Sequence, residues 1–210
     1  MGYDLEQWKK RVQYRTDLSG SLYHLTKSEI NVDGKVTLNA LDRLIKILVE
    51  GKINGSSTES GFIIGDRKAV CFQDAPVSGI VQNIVHEEEF REELGGKIRY
   101  RGIGIAFSKS YIFRNGGRPV LYEEKSKAKD ILRRDEWWRI VNFNLVQNDN
   151  IIDWTHEREW RMPGDEFHFD LSDVVVLLPN TKQYKKFIEK CPKEILKEIK
   201  GIVQLGLMRY

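Results

Sequence analysis

The chain has 210 residues and a mass of 24.5 kDa, the size of one ordinary domain or at most two small ones. Hydrophobic residues make up 40% and charged residues 31%, which supplies a core and excludes wholesale disorder. Lys+Arg is 34 against Asp+Glu 31, and a net charge of +3 excludes a dedicated basic nucleic-acid coat while leaving local patches open.

Taken in chain order, residues 5–14 are charged and read as a short surface helix, broken by Ser19, Gly20 and Ser21. Residues 22–25 read as a strand, and 31–35 (NVDGK) as a turn, because Asp and Gly tolerate turn angles. Leu38, Leu41, Leu44, Ile45 and Leu48 recur at helical spacing and predict a helix over 38–50, with Gly51 placed for a left-handed cap. Residues 51–61 (GKINGSSTESG) read as a flexible loop that holds no core. A buried strand at 69–72 ends at Ala75-Pro76; a short helix at 77–85 and an acidic, solvated helical turn at 86–93 follow. Gly95-Gly96 breaks the chain. Residues 103–107 and 119–122 read as strands, with a turn at Asn115-Gly116-Gly117 between them. One helix is predicted over 126–141, strands at 157–162 and 174–178, a helix over 184–199 interrupted at Pro192, and a last strand at 202–208.

This irregular alternation favours a single α+β domain, with a mixed or antiparallel sheet flanked by helices, over a doubly wound parallel sheet. Residues 1–20 form a helical extension, 22–178 the core, and 180–210 the C-terminal helices and last strand. The opening segment has no apolar stretch after its charges, so it is not a secretory signal. The longest aliphatic run, 174–178, is far short of the roughly 20 residues that span a bilayer. A cytoplasmic protein with no membrane contact is expected. Cys71 and Cys191 cannot make a disulfide framework, and the scattered His24, His86, His156 and His168 show no metal-ligand spacing, so no metal is expected. Phosphate-loop, HExxH and GxSxG motifs are absent, and Gly102-Ile103-Gly104 lacks the third glycine of a dinucleotide fingerprint.

Five segments carry candidate chemistry, each with a plainer structural alternative. On a strand at 22–26, His24 and Thr26 share one side and Tyr23 takes the other. An imidazole and a hydroxyl together offer directional hydrogen bonds to a ribose or an amide; alternatively His24 satisfies a backbone carbonyl and Thr26 caps a turn. On a strand at 157–161, Glu157, Glu159 and Arg161 share a face. Two carboxylates beside a guanidinium suit acid–base or cation-stabilising chemistry, or a surface ion-pair ladder anchored by Trp160. The small residues at 102–106 let a ligand or a neighbouring strand approach closely, and Tyr111 stacks on a flat ring or joins the core. The strand 70–73 delivers Gln73 and Asp74 to its polar end, with Cys71 as a packing residue. The segment 133–139 (RRDEWWR) either touches nucleic acid or forms a partly buried amphipathic helix.

The series YHLT, L-x-x-I-L-x-x-G, VCFQDAP, RGIGIAFSK, RPVLYEE and HEREWR, over residues 22–178, resembles the AbiGi-like abortive-infection family. Its opening is similar to the first motif of DarT-type and tRNA 2′-phosphotransferase-type ADP-ribosyltransferases. That resemblance implies a split-sheet fold that binds NAD, in a protein of phage–bacterium conflict. It places His24 and Thr26 against the nicotinamide ribose or amide, with Tyr23, Tyr111 and Arg161 also lining the cofactor. The Glu-x-Glu at Glu157 and Glu159 is similar to the acidic motif of arginine-directed transferases, a match that implies Glu159 as the catalytic carboxylate and Glu157 as the group that orients the acceptor. The usual serine-threonine-serine strand is absent, since 70–73 occupies its place. The expected partner is a macromolecular acceptor. The alternatives are a catalytically inactive antitoxin or inhibitor that binds a phage or host protein, and a nucleic-acid-binding protein.

Overall fold

The computed structural model describes residues 2–93, 95, 99–146 and 151–208. Gly96, half of the expected glycine break, lies outside the described residues. The elements follow in chain order. Helix α1 (Leu5–Gln13) precedes β1 (Ser21–Leu25) and a small hairpin, β2 (Glu29–Ile30) and β3 (Val36–Leu38). Helix α2 (Ala40–Glu50) leads to β4 (Lys52–Asn54), β5 (Ala69–Phe72) and α3 (Val77–Glu89). Then come β6 (Gly104–Ser108), α4 (Lys109–Arg114), β7 (Arg118–Pro119), β8 (Leu121–Glu123), α5 (Lys125–Ile131) and β9 (Ile140–Asn142). The chain closes with β10 (Trp160–Pro163), β11 (Glu166–His168), β12 (Val175–Leu178), α6 (Thr181–Lys190), α7 (Lys193–Glu198) and β13 (Gly201–Gln204).

The result is one mixed α+β domain. A four-stranded sheet has the order β1-β6-β12-β13, antiparallel except for the β12–β13 pair. A three-stranded antiparallel sheet has the order β5-β10-β7. The two meet at an antiparallel bridge in which Tyr23 and Gln73 exchange backbone hydrogen bonds of 3.0 and 2.8 Å. β1 therefore neighbours β6 on one side and the end of β5 on the other. Gly104 sits in this crowded part of the sheet: a Cβ there would lie 2.3 Å from the His24 carbonyl oxygen. The small residues at 102–106 thus admit a neighbouring strand.

Two apolar clusters flank the joined sheets. Leu22, Phe72, Ile105, Phe107 and Val176 pack on one face with Leu44 and Leu48 of α2. Tyr23, Ala106 and Leu177 pack on the opposite face with Ile80 and Ile84 of α3. Helix α2 forms because its apolar positions recur every three or four residues; Asn39 caps its start and Gly51, at φ 60°, ends it.

Several elements differ from the sequence reading. Residues 51–61 are not a coreless loop: β4 runs through them, and Ile53 is buried against Phe167 of β11. The helix from Val77 continues to Glu89, and Glu87 on it is buried, accepting from the Arg99 backbone and guanidinium at 2.8 and 3.2 Å. Tyr111 lies on a helix, α4, started by the Ser108 hydroxyl. The single helix expected over 126–141 divides into α5, a 3-10 turn at Arg134–Arg139 and β9. The strand expected at 157–162 starts only at Trp160, behind a 3-10 turn at Thr155–Glu157. The last strand stops at Gln204 and gives way to a 3-10 turn at Leu205–Met208.

Candidate functional site

Strand parity decides which expected site residues can meet. Leu22, His24 and Thr26 share the β1 face that carries Leu22 into the core with Phe72. His24 is registered with Ile105, its ring stands edge-on to Phe72 at 6.0 Å, and its Nδ1 lies 2.9 Å from the Cys71 carbonyl. Burial lowers its pKa to about 4, so the ring is neutral at pH 7. Thr26 is 1% exposed, and its hydroxyl reaches the carbonyls of Ala40 and Ile103 at 3.0 and 3.1 Å. Tyr111 stacks on Phe107 at 5.7 Å and 9°, and its hydroxyl accepts from the Asp170 N–H at 3.4 Å. Phe72 and Phe107, 6.2 Å apart, stand between His24 and Tyr111. The His24 and Tyr111 rings thus join an aromatic core, and Thr26 is bonded to main-chain carbonyls beside it.

The other face gathers the acidic motif. Tyr23 faces this way, and burial raises the pKa of its hydroxyl. Arg161 is registered with Cys71, and extending that pairing sets Glu159 beside Gln73. Glu159 is 7% exposed and Arg161 3%. The guanidinium grips both carboxylate oxygens, at 2.8 Å from Nε and 3.1 Å from Nη2. Its Nη1 donates to the carbonyls of Trp138 and Ile140 at 2.8 and 3.0 Å. The Glu159 N–H donates to the Tyr122 hydroxyl at 2.7 Å. Burial, with the Glu159 charge adding to it, pushes the Cys71 thiol far up in pKa, against any nucleophilic role. Arg161 thus holds Glu159 and two backbone carbonyls. It does not face a separate cofactor pocket.

Glu157 has a different setting. Arg158, at φ 45° and ψ 51°, takes the left-handed conformation, the one non-glycine residue with positive φ among those described. This turns the chain between the two glutamates, so the alternation expected over 157–161 fails at its first residue. Glu157 is half-buried, and the Tyr100 hydroxyl donates to its Oε1. The same hydroxyl lies 3.1 Å from Nε2 of exposed His156. Burial raises the Glu157 pKa above the ordinary carboxylate value; the Tyr100 hydrogen bond opposes this and the Glu159 charge adds to it. Burial likewise raises Tyr100 and lowers His156. Nearby, the buried Gln73 Oε1 has no hydrogen-bond partner.

Tyr100 and His156 were missed from sequence. His156 stood inside the HEREWR motif and was legible there; nothing local marked Tyr100, 57 residues from Glu157. The basic segment 133–139 spends its cations locally: Arg133 pairs with Asp135 at 2.8 Å, Arg134 with Asp66 at 2.9 Å and Arg139 with Glu136 at 2.9 Å. Among the described residues no group of three His, Cys, Asp or Glu side chains could hold a metal ion, and no helix is long and apolar enough to cross a membrane. No family model, curated protein or solved structure matches the chain.

Proposed function

We propose that this chain is a cytoplasmic protein of phage–bacterium conflict, an ADP-ribosyltransferase-like enzyme that uses NAD, with Glu157 rather than Glu159 as the carboxylate that meets the substrate. One observation carries this reading: Glu157 is half-buried, bonded by Tyr100, backed by a second carboxylate, and followed directly by a residue in a strained backbone conformation. Strained backbone and shifted titrations concentrate where chemistry occurs. The groups that fit a dinucleotide's polar atoms lie on this face, namely the Glu157 carboxylate and the unpartnered Gln73 Oε1. The His24–Thr26–Tyr111 side fits one less well, because His24 Nδ1, the Thr26 hydroxyl and the Tyr111 hydroxyl are already bonded and the Tyr111 ring is stacked on Phe107. NAD, when bound, would supply a ribosyl carbon open to attack and nicotinamide as the leaving group. Glu157, with its raised proton affinity, takes the proton of an acceptor hydroxyl or amine. The test is incubation with labelled NAD and cell extract. Wild type transfers label, and Glu157→Gln loses about a hundredfold or more in rate; no transfer and no NAD loss in folded wild type ends the enzymatic reading.

A second reading is a catalytically silent antitoxin or inhibitor docked on a phage or host protein. It is favoured by the capture of Glu159 by Arg161 and by the β2–β3 hairpin, which leaves Ile30, Val32 and Val36 in solvent at 62%, 102% and 59% exposure. A partner that co-purifies equally with wild type and Glu157→Gln, from a protein without NAD turnover, supports it.

A further inference from the structure

We propose that His156, Tyr100 and Glu157 form a proton relay that connects solvent to the half-buried carboxylate. Its existence rests on geometry alone; its use in turnover rests on the reading of Glu157 given above. Tyr100 is 7% exposed, and its hydroxyl touches both Glu157 Oε1 and His156 Nε2. A phenol has one proton to donate and can accept another, so it can hydrogen-bond to both neighbours at once. The ring of His156 is exposed, which gives the relay its solvent end. Trp154 borders it, with ring centroids 5.9 Å apart, and Arg99 stands 5.7 Å over Trp154.

The step balances as a transfer of one proton. Protonated Glu157 gives its proton to the Tyr100 oxygen as Tyr100 gives its own to the free Nε2 of neutral His156. Two O–H bonds break, one O–H and one N–H bond form, and the products are a carboxylate and an imidazolium. The reverse step reprotonates Glu157. The charged and titratable groups around the relay are fixed by the fold: Glu159, Lys27 and Arg161 act on Glu157, Glu87 and Arg99 on Tyr100, and Asp153, His86 and Glu87 on His156. Tyr100 is a positioning and relaying residue here, and Glu157 alone meets the substrate.

The experiment is an NMR pH titration of the imidazoles in the full chain, for wild type, Glu157→Gln, Tyr100→Phe and the double variant, with unfolding midpoints taken alongside. Removing the Glu157 charge lowers the His156 midpoint by about one pH unit. In the Tyr100→Phe background, which keeps the packed ring and removes the hydroxyl, the same Glu157→Gln change moves the His156 midpoint less than it does in wild type, because only the through-space part of the coupling is left. A His156 midpoint identical in wild type and Glu157→Gln overturns the relay, and that arm decides alone if Tyr100→Phe does not fold. Coupled titration in a protein that never consumes NAD sinks the enzymatic reading and leaves the relay. NAD consumption without coupling sinks the relay only.

Discussion

Glu159 and Glu157 stand two residues apart in one motif, yet their surroundings differ in kind. Glu159 is enclosed, and a guanidinium that is itself buried satisfies both of its oxygens. Glu157 lies at the edge of the same face, bonded to a tyrosine that leads on to an exposed histidine. The enclosed carboxylate holds a sheet to the turn at 134–139 through Arg161. The open one keeps its capacity to change protonation state. Arg158 creates the difference, because its left-handed backbone takes Glu157 out of the strand. An acidic pair in sequence is therefore not one environment in space.

The largest expected effect breaks the enclosed side. Arg161→Ala strands a buried carboxylate and costs about 3–5 kcal/mol in urea unfolding. Replacing both partners with apolar residues, Glu159→Leu with Arg161→Met, recovers most of that loss. A loss that stays large in the double variant contradicts the ion pair as its source. His24 comes next, on the opposite face. Its folded pKa of about 4 lies below the ordinary 6.5, so its contribution is complete above pH 6.5 and is lost as pH falls toward 4. The loss amounts to at most about 3 kcal/mol, and His24→Gln flattens that part of the stability–pH curve. Thr26→Val removes a buried donor to two carbonyls and costs about 1–3 kcal/mol at any pH between 5 and 8. The smallest effect has the opposite sign. Glu157 binds its proton more tightly folded than unfolded, so wild type loses stability as pH rises through its raised titration. Glu157→Gln removes that loss, and thermal melts at pH 8 show the variant at least as stable as wild type.

Much of the fold was legible in the sequence. The helical spacing from Leu41 to Leu48 and the glycine after it specified α2, and Pro192 separated α6 from α7. Short elements were not legible, because three residues carry no period: β4 and β11 exist through the pairing of Ile53 with Phe167, 114 positions away in the chain at their Lys52–Glu166 ion pair. The six-residue α4, capped by Ser108, is too short for its spacing to stand out between the strands expected at 103–107 and 119–122. The site was half legible. The HEREWR segment holds both glutamates whose settings the fold separates, and parity set Tyr23 apart from His24 and Thr26. The sheet then put His24 and Glu159 on opposite faces, a consequence of β5 lying between β1 and β10 that only the folded register contains.

The most direct measurement compares NAD consumption by the folded wild type, Glu157→Gln, and the Glu159→Leu/Arg161→Met pair. Activity that falls about a hundredfold in the first variant and survives within a few-fold in the second is the predicted result. Activity that survives Glu157→Gln, or that vanishes only when the Glu159–Arg161 pair is replaced in a protein that remains folded, contradicts the assignment of chemistry to Glu157.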